Sequence, residues 1–536
     1  MPDATLRTIA GDAPAYEKPN ARRPEYVDGE ASRKLSRAMY EGTRAVRAMG
    51  TEALPKWPAE RMAFYRLRAK VAQVTRYYAR TVDAIVGMVA GTPPTLAQGT
   101  DARIVADWEN IDGRGTHGDV FVRDALADGI LGGFAGILVD APPVPDGVTL
   151  TLENEQRMGL RPYWVLIKAE QLVSWVIESP DWSRIMADYQ TGLLRDVDVS
   201  RLSTQQIVRQ VVIHEPTEVR SGAFGMTTRD RYRVLTLTDT GVEFVVWEHR
   251  VAEGGTGEHF AEVATGAMVG SKRAPLPAIP LALIYPKRPK APFVAEPAVL
   301  GIAELNLDHH QITTDRRYLI RHTHSPTLYL FGVQAERDEN GALKPIEVGP
   351  NSLIQSTNQD AKAGYISAPA EALDSSKDER DEIVRQIAAL GMSFIAKDRQ
   401  SGGTETAKGR GLDLAAENAT HASMARGLQD GIEQALLFHA RYRGAAEPSV
   451  EMHTAYASPA VDPQIAALLW QAVLHGKMDV DTWVEFLRTA KIPDGFVAAD
   501  VVANLLAESE ADRAAEAERA RDLSGDSTDD NLDPAA

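Results

Sequence analysis

Residues 298–321 read AVLGIAELNLDHHQITTDRRYLIR, and this stretch decides the fold. Its apolar residues recur at helical spacing on an otherwise polar background. They are Leu300, Ile302, Leu305, Leu307, Ile312, Leu319 and Ile320. The pattern predicts a helix from Ala298 to about Arg321, of roughly 24 residues and about 36 Å in length. Pro326 is expected to end it.

A compact β-type insertion and two more long helices are predicted after this first helix. Within the insertion, strands Thr327–Val333 and Ile346–Val348 flank a turn at residues 338–341, which read DENG. In chain order the elements are the insertion from Thr327 to about Ala370, a helix over Glu371–Ile395, a polar, glycine-containing segment Ala396–Thr406, a helix from Ala407 to about Tyr442 and a strand Ser449–Tyr456.

The part of the chain before residue 298 combines helices with a sheet region, so the predicted class is α+β. Residues 1–30 are expected to be a disordered arm or an arm that orders on contact. Helices are predicted at Ser32–Met49, Ala59–Val89, Ala102–Trp108 and Gly118–Leu131. Strands are predicted at Ala135–Asp140, Tyr163–Ile167, Leu172–Ile177, Ile207–His214, Arg231–Leu237, Val242–Glu248 and Leu281–Tyr285, the fifth and sixth forming a hairpin.

Composition excludes several classes of protein. A chain of 536 residues with 44% hydrophobic and 25% charged residues exceeds one hydrophobic core. There is no cysteine, so neither disulfides nor thiolate metal sites contribute. The sequence shows no signal-peptide pattern and no apolar run approaching the ~20 residues that span a bilayer, so we expect neither export nor a membrane location. The net charge of −17 disfavours tight, general DNA binding but is compatible with a channel through which DNA slides.

Motifs for catalysis or cofactor binding are weak. The run Gly402–Gly409 lacks the second glycine and the hydroxyl of a phosphate-binding loop, so an ordinary flexible loop is favoured. Adjacent His309 and His310 point about 100° apart on a helix, which disfavours a metal site with His322 and His324. Solvated or interface histidines are expected instead. No nucleophile elbow is present, and a cysteine nucleophile is excluded.

Four other groups of residues permit two interpretations each. Asp140 ends an apolar strand, and a strand-terminating turn is favoured over a catalytic carboxylate. Tyr163, Trp164 and Trp175 suit core or interface packing better than a base-stacking platform, because no basic run accompanies them. The acidic segment Glu508–Asp533 suits a solvated helix and tail better than a DNA mimic. The choice between phosphate and a neighbouring subunit's carboxylates stays open for Arg316, Arg317 and Arg321.

The order of helix, β insertion, helix, polar loop and long helix resembles the portal proteins of tailed bacteriophages. It resembles in particular a portal-like family formerly catalogued as a domain of unknown function. The matching residues are Tyr65, Arg66, Arg68, Ala69, Gly136–Asp140, Arg161–Trp164, Leu305–His309, Ser325–Leu328, Phe331, Gly332 and Gly403–Thr406. Together they cover most of residues 60–440, and their order is more specific than any one motif.

The resemblance implies a ring, usually a dodecamer, whose subunit has several zones. The implied zones are an N-terminal arm (1–30), a wing (31–297 and 407–457), two stem helices (298–324 and 371–395), a clip (325–370), a tunnel loop (396–406), a helical crown (458–523) and a disordered acidic tail (524–536). The implied role is a channel at one capsid vertex for packaging and ejecting double-stranded DNA.

The resemblance also implies partners and a location. The partners are a terminase large subunit, a head-to-tail adaptor, the major capsid and scaffolding proteins, and DNA that passes without sequence specificity. The location is the virion, with assembly in the host cytoplasm. No cofactor, metal or enzymatic activity is implied, because a separate terminase supplies the work. The candidate residues facing DNA are Lys397, Arg399, Gly402, Gly403, Lys408 and Arg410.

Two alternatives from other classes remain. One is a cytoplasmic α+β enzyme whose cofactor site gives no recognisable motif. The other is a different capsid-associated structural protein, such as a head-to-tail adaptor, although adaptors are generally much shorter chains. Rings with a central hole would distinguish a portal from a compact enzyme.

Overall fold

The computed structural model describes residues 7–10, 13–142, 157–178, 207–251, 257–324, 327–332, 358–366, 370–390, 407–454, 469–471, 473 and 483. The chain divides into two compact units, Met1–Gly402 with Ala419–Thr454 and Gly403–Asn418 with Ala455–Ala536. The elements below belong to the first unit, except for the N-terminal part of the last helix.

The helices of the described residues agree in large part with the predicted ones. The predicted helix Ala298–Arg321 is found three residues longer at its C-terminal end, and the third long helix ends at Arg443. The helices are α1 (Pro24–Asp28), α2 (Glu30–Glu41), α3 (Thr43–Ala48), α4 (Met62–Val71), α5 (Tyr77–Val89), α6 (Ala102–Trp108), α7 (Gly118–Gly132), α8 (Leu300–His324), α9 (Ala370–Leu390) and α10 (Ala407–Arg443).

The strands confirm the α+β class. They are β1 (Thr8–Ala10), β2 (Thr95–Leu96), β3 (Ala135–Asp140), β4 (Tyr163–Lys168), β5 (Leu172–Glu178), β6 (Ile207–His214), β7 (Thr217–Ser221), β8 (Gly225–Arg229), β9 (Arg231–Thr238), β10 (Gly241–Val251), β11 (Glu258–Ala267), β12 (Leu281–Ile284), β13 (Thr327–Phe331), β14 (Lys362–Ile366) and β15 (Val450–Glu451). All seven predicted strands before residue 298 are present, and β9 and β10 form the expected hairpin.

Two antiparallel sheets share one core. The larger has the strand order β1-β11-β10-β9-β6-β5, and the smaller has the order β12-β3-β4. Strand β3 is buried along almost its whole length because helix α7 packs beside it. A buried apolar cluster joins Leu138 and Ile167 of the smaller sheet to Trp175, Val211 and Leu235 of the larger one. The core therefore fixes both sheets and the helices on them as one framework.

The predicted helix Ser32–Met49 is wrong as a single element. It is divided into α2 and α3 at Gly42, whose φ of +93° is a left-handed value that favours glycine. Gly42 is a signal for this break in the sequence itself, because glycine is the usual residue just after a helix C-terminus.

The predicted helix Ala59–Val89 is also wrong as a single element, since it is interrupted between Val71 and Tyr77. No glycine or proline marks this break. Contacts distant in sequence replace the missing helical hydrogen bonds. Thr43 Oγ1 accepts a hydrogen bond from the Val74 amide, and Arg47 donates to the carbonyl oxygen of Ala72. Tertiary contacts thus override local helical propensity here.

Several strand boundaries also differ from the predictions. The predicted strand Ser449–Tyr456 is reduced to β15, which pairs with β2. Strands β1, β2, β7, β8, β11 and β14 were not predicted; β7 and β8 are polar and largely exposed, without an apolar alternation. The choice between a disordered arm and one that orders on contact stays open for residues 1–30; among its described residues, Thr8–Ala10 pairs with β11 at the edge of the larger sheet.

The division into wing, stem, clip, tunnel loop and crown stays a prediction. Several parts of it lie outside the described residues: the turn at 338–341, the strand Ile346–Val348, residues 391–395 of the second stem helix, the tunnel loop, the acidic segment from Glu508 and nearly all of the crown.

Candidate functional site: an anchored pair of antiparallel helices

Helices α8 and α9 lie side by side and are joined through the hairpin of β13 and β14. In that hairpin Thr327 pairs with Ile366, so the chain leaves α8 and enters α9 at neighbouring points. Two helices connected in this way run antiparallel. Ile383 and Ile387 are the buried side chains of α9. The two stretches predicted to be long helices therefore form one packed pair.

The break between α4 and α5 fixes helix α8 to the framework. Asn306 of α8 accepts a hydrogen bond from the Tyr78 amide and donates one to the carbonyl oxygen of Thr75, both at 2.9 Å. Nδ1 of His310 lies 3.2 Å from the carbonyl oxygen of Gln73. Asn306 and His310 are buried, and so is the Tyr78 amide, which therefore has no access to water as an alternative partner.

A buried ionic cluster makes a second attachment, farther along α8. Arg68 of α4 donates to Glu60 at 2.8 Å and to Asp315 of α8 at 3.1 Å. Its guanidinium also lies 4.3 Å from the ring centroid of Trp57. Hydrogen bonding from Arg68 holds the pKa of Glu60 below its usual value, whereas burial raises the pKa of Asp315.

Of the two alternatives predicted for the histidines, solvated or at an interface, the solvated one is wrong for His309 and His310, because only 4% and 2% of their surfaces are exposed. His309 packs edge-on against Tyr77, with ring centroids 5.1 Å apart. Burial, with a smaller effect of the positive charge of Arg380, lowers the pKa of His309 to about 4. The imidazole is therefore neutral near pH 7. His309 and His310 act as packing and hydrogen-bonding groups of α8.

The aromatic residues considered for base stacking lie in the core. Trp164 and Trp175 are almost completely buried, and Trp164 makes edge contacts with Trp108 and Phe121. The packing interpretation is confirmed for both tryptophans, and Tyr163 is half-buried beside Asp140.

The contacts of Asp140 give this residue a role in holding the fold together. One of its oxygens accepts a hydrogen bond from the adjacent Ala141 amide, as expected for a residue that ends a strand. The other pairs with Arg233 at 2.7 Å, and Arg233 also binds Glu215 at 3.1 Å. Because the carboxylate is held by an arginine of the larger sheet, Asp140 links the two sheets.

The arginines of α8 divide between two faces. Arg316 faces α9, where it adds to the larger effect of Arg380 in lowering the pKa of Asp381. Arg317 and Arg321 line a groove between α8 and α4. Both are exposed, and neither makes an ion pair among the residues that the structure describes.

The prediction of residues that face DNA stays a prediction. Lys397, Arg399, Gly402 and Gly403 lie outside the described residues, and Lys408 and Arg410 lie in the first turn of α10. Helix α10 begins at Ala407, where the sequence predicts it, so the flexible-loop interpretation of Gly402–Gly409 does not extend beyond residue 406.

Sequence analysis missed a buried ionic cluster that joins α6 to α10. Asp107 accepts hydrogen bonds from His439 at 2.8 Å and from Arg443 at 2.6 Å, and all three side chains are buried. Burial opposes ionisation of Asp107, but the hydrogen bonds from its two partners hold its pKa below the usual value. More than 300 positions separate Asp107 from its partners, so no local pattern marks the cluster.

A similar cluster joins α2, α7 and the short turn Ala169–Gln171 between β4 and β5. Arg37 binds both Asp128 and Glu170, the latter at 3.0 Å. In both clusters the carboxylates are paired with the basic side chains beside them. In the described part of the chain, no group of three or more potential metal ligands is present, and no helix is long and apolar enough to cross a bilayer.

Comparison with known proteins finds a family model that matches the region of the helix pair. Residues 298–443, little more than a quarter of the chain, match the model of a family described as domain of unknown function DUF4055. The resemblance to a family catalogued in this way is confirmed for these residues, which include α8, α9 and α10. No curated protein gives a significant match.

Among solved structures, the chain is similar to three from gene transfer agent (GTA) particles. The neck of the empty particle, computed with C6 symmetry, is 11% identical over 79% of this chain and 92% of that chain, with a TM-score of 0.35. The virion of the native particle is 11% identical over 81% of this chain and 93% of that chain, with a TM-score of 0.33. The neck of the native particle, computed with C12 symmetry, is 11% identical over 77% of this chain and 89% of that chain, with a TM-score of 0.34. TM-scores in this range do not establish a common fold.

Proposed function

We propose that this chain is the subunit of a phage portal, a ring through which double-stranded DNA enters and leaves a capsid. The observation that carries the proposal is the pair of antiparallel helices α8 and α9 joined by a small β hairpin, within the stretch that matches the family model. The same order of elements led to the resemblance in the sequence.

The helix pair has the length and rigidity that a channel wall needs. Helix α8 has 25 residues and α9 has 21, which correspond to about 37 Å and 31 Å. Helix α8 is fixed to the framework at two points along its length. The first is the pair of hydrogen bonds made by Asn306, and the second is the ion pair between Arg68 and Asp315. A long helix held in this way resists bending, whereas an unsupported one would not.

In this proposal α8 and α9 are the stem, and residues 325–370 are the clip. The wing comprises residues 31–297 and 407–457, and residues 458–523 form the crown. Residues 396–406 form a loop that faces DNA, with Lys397, Arg399, Lys408 and Arg410 making transient contacts with phosphate. Weak contacts suit the role, because strong ones would retard a sliding duplex.

The proposal assigns a structural role without catalysis. A terminase large subunit would supply the work and dock at the clip, a head-to-tail adaptor would follow it, and capsid and scaffolding proteins would surround the ring. The buried charged groups described above are paired within the framework, and this supports a structural role for them. The location would be the capsid vertex of the virion.

Negative-stain electron microscopy of the purified full chain tests the proposal. We expect rings with a central hole, of one dominant diameter. Compact particles without a hole, or a monomer at micromolar concentration, would exclude the portal function.

A further inference from the structure

A groove of about 310 Å³ lies between α4 and α8, and its apolar side chains are exposed to solvent. Phe64 and Leu67 of α4 line it with 49% and 53% of their surfaces exposed, and Val71 continues the row one turn later. Large apolar side chains that face solvent together are typical of a surface that another molecule covers.

The groove is positively charged along its α8 side. Arg317 and Arg321 line it one helical turn apart, both exposed and without an ion pair among the described residues. The chain as a whole carries a net charge of −17, so this positive surface differs from the protein around it. An acidic partner with some apolar contact area would fit it best.

The outer face of α9 has the complementary charge. Glu371, Asp374 and Asp378 follow one another at spacings of three and four residues, which places them on one side of the helix. This side lies opposite the buried Ile383 and Ile387. The three carboxylates are exposed, and none forms an ion pair in the part of the chain that the structure describes.

We propose that the groove between α4 and α8 receives the acidic face of α9 from a second copy of this chain. Arg317 and Arg321 would pair with Asp374 and Asp378, while Phe64 and Leu67 would exclude water around the ion pairs and so strengthen them. The inference rests on the proposed portal function and names the contact that builds its ring.

The contact joins two different surfaces of one chain, so it is heterologous. Each copy has a groove and an α9 face left for further copies, and such a contact builds a ring when the rotation between copies closes and a filament when it does not. A twofold dimer would instead need one surface that is complementary to itself. The groove and the α9 face have opposite charges, which favours alternation around a ring over self-pairing.

Two charge-reversed full-length variants test the contact. The first, Arg317→Glu with Arg321→Glu, makes the groove acidic; the second, Asp374→Lys with Asp378→Lys, makes the α9 face basic. Each variant alone brings like charges together, so we expect a loss of rings of at least tenfold in native mass spectrometry. Mixed in equal amounts, the two variants should form rings again, in which they alternate.

A matched pair of apolar substitutions tests the groove itself. Phe64→Asp should shift the wild-type ring to monomers, whereas Val120→Asp, at a similarly exposed helical position outside the groove, should leave the ring intact. Circular dichroism spectra that match the wild type show that the variants are folded.

The outcomes of these experiments distinguish failure of the proposed contact from failure of the portal function. A wild-type chain that forms no ring overturns both. A wild-type ring together with unchanged rings from both charge variants overturns only the contact, as does a mixture of folded variants that stays monomeric. Rings that persist in the Arg317→Glu, Arg321→Glu variant while retention of double-stranded DNA falls would assign the groove to nucleic acid instead.

Discussion

At the scale of single residues, Asn306 is the most informative position, because one side chain completes two backbone hydrogen bonds in a helix break. Asn306→Ala should leave the buried Tyr78 amide without a partner, whereas the Thr75 carbonyl still accepts a hydrogen bond from the Tyr77 amide at 2.9 Å. An unpaired buried donor costs about 1–3 kcal/mol, so we expect a loss of this size in the free energy of unfolding. Urea denaturation measures it.

Asp308→Ala is the control for Asn306→Ala, since Asp308 is exposed on the same helix. Its stability should stay within about 0.5 kcal/mol of the wild type. Equal effects of the two substitutions would show that Asn306 does not hold the break.

His309 gives a prediction about pH. Its pKa in the folded chain, about 4, lies below the ordinary histidine pKa of 6.5, so between these pH values the unfolded chain binds a proton that the folded chain does not. Stability therefore falls as the pH is lowered through this range, by up to about 1.4 kcal/mol per unit for this group. His309→Phe keeps an aromatic ring beside Tyr77 and removes the proton site.

Urea titrations at pH 7.5, 6, 5 and 4.5 check the His309 prediction. Below pH 6.5 the stability of His309→Phe should decline less steeply than that of the wild type, and above it the two curves should run parallel. Identical slopes throughout would contradict the assignment of a buried neutral imidazole.

At the scale of elements, α9 is held to α8 by few buried side chains. Ile387 is 1% exposed, and removing its side chain beyond Cβ should cost about 2–5 kcal/mol. We expect Ile387→Ala to accelerate amide hydrogen exchange within α9 while the larger sheet exchanges as in the wild type. Leu390→Ala, at a 61% exposed position of the same helix, is the matched control. Unchanged exchange in α9 for Ile387→Ala would mean that another contact holds the helix.

Elements with a strong local pattern were predictable from the sequence. Helix α8 has seven apolar residues at helical spacing, and β3 is a continuous apolar run that ends at Asp140. The break before Tyr77 was not predictable, because its hydrogen-bond partners Asn306 and His310 lie more than 200 positions away. The family resemblance located the helix pair, but the packing of Phe64 beside Arg317 depends on tertiary structure alone.

At the scale of the whole molecule, the portal proposal assigns ring assembly and DNA contact to different residues. Replacing Lys397, Arg399, Lys408 and Arg410 together with alanine removes four positive charges around the proposed tunnel loop. We expect a changed yield of packaged DNA, measured as nuclease-resistant genomes, with the ring still assembled. Loss of the ring itself would contradict this division of roles.

In the proposed portal, α8 and α9 line a channel formed by many copies of the chain. A single-particle electron cryomicroscopy reconstruction of the purified full chain would show the position of these helices. We expect a closed ring in which the α8 and α9 pairs of successive copies stand side by side around an opening wide enough for a DNA duplex. A closed particle with these helices buried around a ligand, or with α8 and α9 separated, would contradict it.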